Sequence, residues 1–406
     1  MQNSRILQSA VIVSALGYFV DIYDLILFSI VRVPSLKDLG YSGENLFDQG
    51  VLLLNMQMAG MLLGGIFWGI LGDKKGRLSV LFGSILLYSM ANFANGWVHS
   101  IQAYATLRLI AGFGLAGELG AGITLVSEAL PKAKRGYGTT IVASFGICGA
   151  LLAAQIAQHF DWRIAYSIGG GLGLLLLALR VSVMESHLFE AIKKHAGPRG
   201  DFFLLFKTRA RFFKYLCCIL IGVPIWYVIG VLITFSPEFA KVLEMREPIS
   251  AGNAVMYTYL GMAVGDLSSG LLSQWIGSRK RVTALFLVSS LLAIMAFLTI
   301  HGLGATGFYV LCTLMGISIG YWALFVSIGA EQFGTNLRST VTTTVPNFVR
   351  GSVVPLTYLF ARSRGTIGIV PGAMILGAIS LGLAAVALWR LDETFGKELD
   401  YLEGAT

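Results

Sequence analysis

Twelve long apolar stretches dominate the sequence and constrain its fold more than any other feature. A bilayer core of roughly 30 Å requires about 20 apolar residues in one helix. Backbone polar groups find no water there, so a chain crosses a membrane as helices or as a closed barrel, and stretches of this length favour helices. They cover residues 8–30, 50–71, 79–97, 102–127, 139–158, 163–183, 212–235, 251–275, 282–300, 306–330, 340–360 and 368–390. We therefore predict an all-α membrane protein with twelve transmembrane helices.

The composition excludes an ordinary soluble enzyme. Apolar residues make up 55% of the 406 and charged residues only 13%, about half the charged share of a soluble domain. The apolar stretches show no spacing typical of a catalytic nucleophile or a metal-ligand cluster, so we expect neither enzymatic activity nor a metal or other cofactor. The four cysteines show no ligand or disulfide spacing and are interpreted as reduced packing residues: Cys148, Cys217, Cys218 and Cys312.

Basic residues concentrate on one side of the predicted membrane. Twenty of the thirty Lys and Arg residues fall in the segments that share a side with both termini, and seven fall in the opposite loops. The positive-inside rule then places both termini in the cytoplasm. We expect the chain to lie in the inner (plasma) membrane. The net charge of +8 thus indicates topology, and we expect no nucleic-acid partner.

A polar stretch at the midpoint divides the chain into two halves. We predict an N-terminal six-helix half over 1–184, a cytoplasmic linker over 185–211, a C-terminal six-helix half over 212–390 and a cytoplasmic tail over 391–406. Three short patterns recur in order at a shift of about 200 residues: Gly69–Arg77 with Gly270–Arg279, Arg108–Ala116 with Cys312–Gly320, and Glu128–Gly136 with Glu331–Ser339. Such a repeat predicts two pseudo-symmetric halves around a central cavity reached alternately from each side.

The loop between the second and third stretches carries a family resemblance. Its sequence, Gly69-Ile-Leu-Gly-Asp73-Lys-Lys-Gly76-Arg77, resembles the signature loop of the major facilitator superfamily. Further motifs resemble the branch of metabolite:proton symporters, sugar porters and organic ion transporters: Asp21–Asp24, Arg108–Glu118, Glu128–Gly136, Met184–Ser186 and Glu393–Lys397. The resemblance implies a membrane transporter that works by alternating access.

Ionisable residues inside the apolar stretches are candidates for proton coupling, because such groups are costly in a bilayer and are kept mainly for function. Asp24 and Arg108 have similar predicted depths and could form an ion pair, which would let the proton affinity of Asp24 change with conformation. Asp21 lies on nearly the same helix face, about one turn deeper. Glu118 completes the proton-coupling set. A permanent structural role remains the alternative for each.

Arg350 is the residue most informative about substrate. It lies in the eleventh stretch after Pro346, which frees backbone groups that can line a cavity. A guanidinium there suits a carboxylate, although pairing with an acid of the other half is the alternative. The other predicted substrate-binding residues are aromatic or polar side chains on helices that can face the cavity: Tyr23, Asn347, Trp226, Tyr257, Tyr321, Trp322 and Gln155. Asp266 is interpreted as a gate or helix contact, with substrate binding as the alternative.

Charged residues of the cytoplasmic motifs predict a gate on the inner face, since they can pair with one another and with helix dipoles. They are Asp73, Arg77, Glu128 and Arg135 in the first half and Glu331 and Arg338 in the second. In the second half, Gln274 stands at the position that corresponds to Asp73, and an uncharged amide there predicts a weaker ionic contact at the gate.

The residues together predict proton-coupled symport of a small organic anion, with the proton gradient as driving force and no cofactor. The alternatives are a uniporter or exporter of a neutral or cationic solute, and a membrane sensor that does not transport. The expected partners are a small-molecule substrate, protons and the lipid bilayer, and the expected state is a monomer.

Overall fold

The computed structural model describes residues 2–75, 77–118, 120, 135–184 and 202–396. Almost every described residue outside the connecting loops is helical. We call the end of the bundle that carries the loop around Gly40 the outer end and the opposite one the cytoplasmic end, following the predicted topology. Spans are numbered 1–12 in the order of the apolar stretches.

The described part of the first half contains six long helices. They are α1 (Gln2–Asp38), α2 (Gly43–Lys75), α3 (Arg77–Asn95), α4 (Ile101–Leu115), α5 (Arg135–His159) and α6 (Trp162–Met184). Each corresponds to one predicted span; α4 covers the outer part of span 4, and residues 119 and 121–134 lie outside the described residues. Ser100 starts α4 by accepting a hydrogen bond from the backbone N–H of Ala103, which satisfies one free donor of the first turn.

The second half is more fragmented. A 3₁₀ turn (Phe202–Phe206) precedes α7 (Arg209–Leu220), α8 (Val223–Tyr227), a π-helical segment (Val228–Ile233), α9 (Ser236–Val242), α10 (Ala251–Ile276), α11 (Arg279–Thr299), α12 (Ala305–Ile319), α13 (Trp322–Glu331), α14 (Thr335–Gly351), α15 (Val353–Ile367) and α16 (Ile369–Arg390). Span 7 thus contains α7, α8 and the π-helical segment, span 10 contains α12 and α13, and span 11 contains α14 and α15.

The prediction of twelve membrane helices in two halves is confirmed, with the difference that spans 7, 10 and 11 are each divided into shorter helical segments. In spans 7 and 11 the linking residues Ile221, Gly222 and Ser352 keep right-handed helical dihedral angles, whereas in span 10 the backbone leaves the helix at Gly320 and Tyr321. Within the described ranges, seven helical segments are long and apolar enough to cross a bilayer by length and composition alone, including Arg209–Ile233 and Ala305–Glu331, which run across such interruptions. Hydropathy reports only the run of apolar residues, so it does not reveal where the backbone leaves the helix. Interrupted spans line cavities in transporters because their freed backbone groups need protein partners.

Large apolar side chains cover the outside of the bundle. Trp275, Trp389 and Leu271 are 84%, 78% and 72% exposed. On a soluble protein such a surface would aggregate; here it faces the acyl chains. The exposed aliphatic and aromatic residues therefore agree with a chain that crosses the membrane many times.

Equivalent glycines bring the helices of each half together. A Cβ on Gly112 of α4 would overlap the backbone oxygen of Gln57 in α2. Gly316 of α12 stands in the same relation to Thr258 of α10. Small residues allow this close approach of helix backbones in a bilayer. The same contact at matching positions is the structural form of the sequence repeat.

Candidate functional site

A small cavity lies where the two halves meet. Span 1 and span 5 line it from the first half, and spans 7, 8, 10 and 11 from the second. The lining side chains are Tyr18, Ile22, Ile147, Trp226, Ile229, Tyr259, Met262, Asp266, Trp322 and Arg350. The cavity is therefore mostly apolar and aromatic, with one acid and one base.

Helical periodicity explains which residues reach the cavity. Tyr18 and Ile22 are one turn apart on α1, and Tyr259, Met262 and Asp266 follow at steps of three and four on α10. Side chains at these steps share one helix face. Sequence reasoning missed Tyr18, although its spacing of three residues from Asp21 could have identified it.

Arg350 is the central charge of the cavity. It is 1% exposed, and its Nη2 lies 3.7 Å from Oδ2 of Asp21 in span 1. The guanidinium carbon lies 5.7 Å from the ring centre of Trp226 and 5.6 Å from that of Trp322. Its Nε and Nη1 have no hydrogen-bond acceptor among the described residues. Arg350 thus combines a loose ionic contact between the halves with unused donors.

Asp21 is fully buried, and neither of its oxygens accepts a hydrogen bond within the described part of the chain. A charge-assisted hydrogen bond normally has a length of about 2.7–2.9 Å, so the 3.7 Å contact with Arg350 is electrostatic. The sequence left open whether Arg350 binds a substrate or pairs with an acid of the other half. The structure gives it such an acid, held loosely enough to leave donors available.

The structure does not form the ion pair expected between Asp24 and Arg108. Both residues are buried, and they are close enough to interact electrostatically. Arg108, however, donates to the side-chain oxygens of Gln57 and Asn92, the latter at 3.4 Å. Neither oxygen of Asp24 has a hydrogen-bond donor among the described residues. The sequence gives depth along a helix and does not show which neighbour faces the guanidinium.

Glu118 has a partner that sequence reasoning missed. Arg180 of span 6 donates to both of its oxygens, at 3.1 Å for the longer bond, and both side chains are at most 3% exposed. Arg180 also donates to the backbone oxygen of Val13 at 3.4 Å. Glu118 therefore belongs to an ion pair inside the first half, one helical turn on the cytoplasmic side of Asp21. A lone basic residue near the end of span 6 was the available signal.

Trp226 and Trp322 are the other predicted substrate-binding residues that line the cavity. The remaining five lie outside its lining. Tyr23 donates to the backbone oxygen of Ala165, Asn347 to that of Ala116, and Tyr321 to that of Ile221. Tyr257 stacks on Tyr309, and Gln155 contacts Met256 near the outer surface. The structure thus gives these side chains partners within the protein.

The structure describes the second-half residues of the predicted cytoplasmic gate. Glu331 forms an ion pair with Arg279, which donates from Nε and Nη2 at 2.7 and 2.8 Å. Arg338 donates to the backbone oxygen of Ala330. Glu128 lies outside the described residues, as do the side chains of three further gate residues: Asp73, Arg77 and Arg135. Sequence reasoning did not include Arg279, although the repeat aligns it with Arg77.

At the outer end, contacts join the two halves. Arg32 of span 1 is fully buried and donates to both carboxylate oxygens of Glu238 at 2.7 and 2.8 Å. It also donates to the backbone oxygen of Thr234, and its guanidinium lies 4.5 Å from the ring centre of Phe235. Phe47 and Phe360 complete an aromatic cluster with Phe235. The cavity is therefore covered on the outer side by contacts between the halves.

Comparison with known proteins identifies relatives that are membrane transporters. Residues 14–354 match the sequence profile of the Major Facilitator Superfamily. The chain is 25% identical to the niacin transporter NiaP of Acinetobacter baylyi, covering 96% of this chain and 94% of that protein. It is 24% identical to the gentisate transporter of Corynebacterium glutamicum, covering 95% and 88%. The structure of the proton:xylose symporter XylE bound to 6-bromo-6-deoxy-D-glucose has a TM-score of 0.70 at 16% identity, covering 98% of each chain.

Proposed function

The chain belongs to the major facilitator superfamily, and from this membership we propose that it is a proton-coupled symporter of small aromatic carboxylates. It is a membrane transporter and not an enzyme. We place it in the inner membrane with both termini in the cytoplasm, as the distribution of basic residues predicts. We also propose that it functions as a monomer.

The observation that carries the proposal is the position of Arg350 in the cavity. Its two unused donors and its loose contact with Asp21 leave a forked cation available to a carboxylate from solution. A bidentate carboxylate contact is shorter and stronger than a contact at 3.7 Å. A substrate anion can therefore displace Asp21 from Arg350.

Charge balance supplies the reason for proton coupling. Arg350 and Asp21 cancel each other's charge, and the carboxylate of Asp266 faces the positive N-terminal end of α13. A substrate carboxylate therefore adds one uncompensated negative charge to a site with little access to water. An uncompensated charge in such a site costs several kcal/mol. Uptake of one proton by Asp21 restores neutrality. Substrate and proton then cross together, and no cofactor is required beyond the proton gradient.

The aromatic lining supports a substrate with a ring. Trp226, Trp322, Tyr18 and Tyr259 offer ring faces and edges around Arg350, and stacked or edge-on aromatic contacts contribute about 0.5–1.5 kcal/mol beyond burial. The names of relatives fit this class, since one is a niacin transporter and another a gentisate transporter.

The test is uptake of radiolabelled nicotinate and benzoate by the purified protein in liposomes. We expect uptake to rise when the outside is acidic and to be abolished by Arg350→Ala. Asp21→Asn should retain binding but lose the response to the pH gradient. Arg362→Ala is the matched control, because Arg362 lies exposed in the same span and should transport normally. Uptake of organic cations or sugars that is unaffected by Arg350→Ala would refute the proposal.

A further inference from the structure

Span 10 is interrupted beside the cavity. Helix α12 ends at Ile319, the backbone leaves the helix at Gly320 and Tyr321, and α13 begins at Trp322. The first turn of a helix has backbone N–H groups without partners inside the helix. No side chain of span 10 caps this end, so the partner must come from another helix.

Asp266 of span 8 supplies that partner. Its Oδ1 accepts a hydrogen bond from the backbone N–H of Ala323 at 3.1 Å, and the residue is 9% exposed. A carboxylate at this position also interacts favourably with the positive end of the helix dipole. A Cβ on Gly320 would overlap the backbone of Gly265, so the two glycines allow span 8 to lie against the interruption.

The N-terminal end of α13 is also part of the cavity. Trp322, its first residue, lines the cavity together with Asp266 and Arg350. The preceding Tyr321 is fixed to span 7 by its hydrogen bond to the backbone oxygen of Ile221 at 3.0 Å. A ligand that contacts Trp322 therefore contacts the end of α13 that Asp266 holds.

The other end of α13 reaches the cytoplasmic surface. Its last residue, Glu331, pairs with Arg279 at the start of α11 through two hydrogen bonds. The next residue, Gln332, donates to the backbone oxygen of Asp392 at 2.8 Å. A helix of ten residues is about 15 Å long, so α13 connects the cavity directly to the cytoplasmic ion pair.

We propose that Asp266 is a positioning residue that fixes α13, and that α13 transmits occupation of the cavity to the Arg279–Glu331 pair. Asp266 acts by holding the N-terminal end of the helix and with it the ring of Trp322. When a ligand displaces Trp322, the short helix moves as one body and changes the contact at Glu331. This inference rests on the proposed function only for the identity of the ligand.

The experiment places a cysteine at Ala330, next to Glu331, in a Cys148→Ser background, and measures its labelling rate by a water-soluble maleimide in the full-length protein in nanodiscs. Cys148 is replaced because it is the exposed native cysteine. Without ligand, we expect Asp266→Ala to raise the labelling rate several-fold. Asp266→Asn keeps an oxygen that can accept from Ala323 and should restore the original rate.

The second arm adds nicotinate or benzoate. We expect the probe to change labelling of the cysteine severalfold in the parent and in Asp266→Asn, and to have less than half that effect in Asp266→Ala at saturating probe. If Asp266→Ala does not fold, Asp266→Ser, which is too short to reach the helix end, takes its place. Equal labelling in all variants, with and without probe, would overturn the inference. A parent that binds neither probe, yet labels faster in Asp266→Ala, would contradict the proposed substrate class alone.

Discussion

Asp21 and Arg350 face each other across the interface between the halves, with 3.7 Å between Oδ2 and Nη2. Both are buried, and no hydrogen bond joins them. Their attraction therefore holds the halves together without a fixed geometry. A contact of this kind can be exchanged for a substrate contact as the halves move, which a tight bidentate pair would resist.

Removing either member of this pair should have unequal effects on stability. Asp21→Asn leaves a guanidinium that cannot lose its proton, whereas Arg350→Gln leaves a carboxylate that can be neutralised by one. Breaking a buried pair costs about 3–5 kcal/mol in the free energy of unfolding when the remaining charge persists. We expect Asp21→Asn to melt at a lower temperature than Arg350→Gln, and the double variant to recover part of the loss. Equal and additive losses in thermal melts would contradict this.

The ion pair between Glu118 and Arg180 should stabilise the folded protein. Both side chains are at most 3% exposed, so Glu118→Gln leaves a buried cation and should cost about 3–5 kcal/mol. Gly17→Ala provides an independent test, because a Cβ there would overlap Arg180 and Glu118. We expect both variants to lower the melting temperature in detergent, whereas Gly171→Ala, where a Cβ meets no atom within 4 Å, should not. Unchanged melting of Gly17→Ala would show that the pair is not packed against span 1.

The outer ion pairs should differ in their influence on opening. Glu238→Gln weakens the ion pair of the fully buried Arg32. Glu44→Gln weakens the ion pair between Arg364 and Glu44, whose side chain is 77% exposed. An exposed ion pair stabilises the protein by about 0–1 kcal/mol, whereas a buried charge that loses its partner destabilises it by more. Pulsed EPR distances between labels at Trp97→Cys and His301→Cys, in outer loops of the two halves, should lengthen in Glu238→Gln and stay unchanged in Glu44→Gln. The reverse order would refute the assignment.

Glu393 should stabilise the cytoplasmic end of α11 independently of pH in the physiological range. Partial burial acts to raise its pKa, but hydrogen bonds from Ser278 and from the backbone N–H groups of Phe395, Arg279 and Lys280 outweigh this and lower the pKa from 4.5 to about 2. A lowered pKa in the folded state stabilises the protein above pH 4.5, and the contribution disappears as the pH falls towards 2.

Glu393→Gln is the corresponding variant. Because Glu393 is largely exposed and water screens it, we expect a loss of about 1 kcal/mol at neutral pH. The difference in melting temperature from the parent should be constant between pH 6 and 8 and should shrink below pH 4.5. A difference that grows on acidification would contradict the assignment. Asp392→Asn, an exposed neighbour, serves as the control.

The sequence predicted the membrane class, the span count, the halves and several residues of the cavity. These features follow from local properties. Apolar length sets the spans, the repeat sets the halves, and the cost of burying Arg350, Asp21 and Asp266 in a bilayer marks them as exceptional wherever their partners are.

Only the tertiary structure decided the partners. Arg108 faces Gln57 and Asn92, Glu118 faces Arg180, and Arg350 faces Asp21, because helix packing determines which faces meet and at what rotation. A rotation of one helix by a few tens of degrees changes the partner of a side chain and leaves hydropathy unchanged. The interruption of span 10 was hidden for the same reason, since the carboxylate that accepts the hydrogen bond of the new helix end belongs to Asp266, more than fifty residues away along the chain.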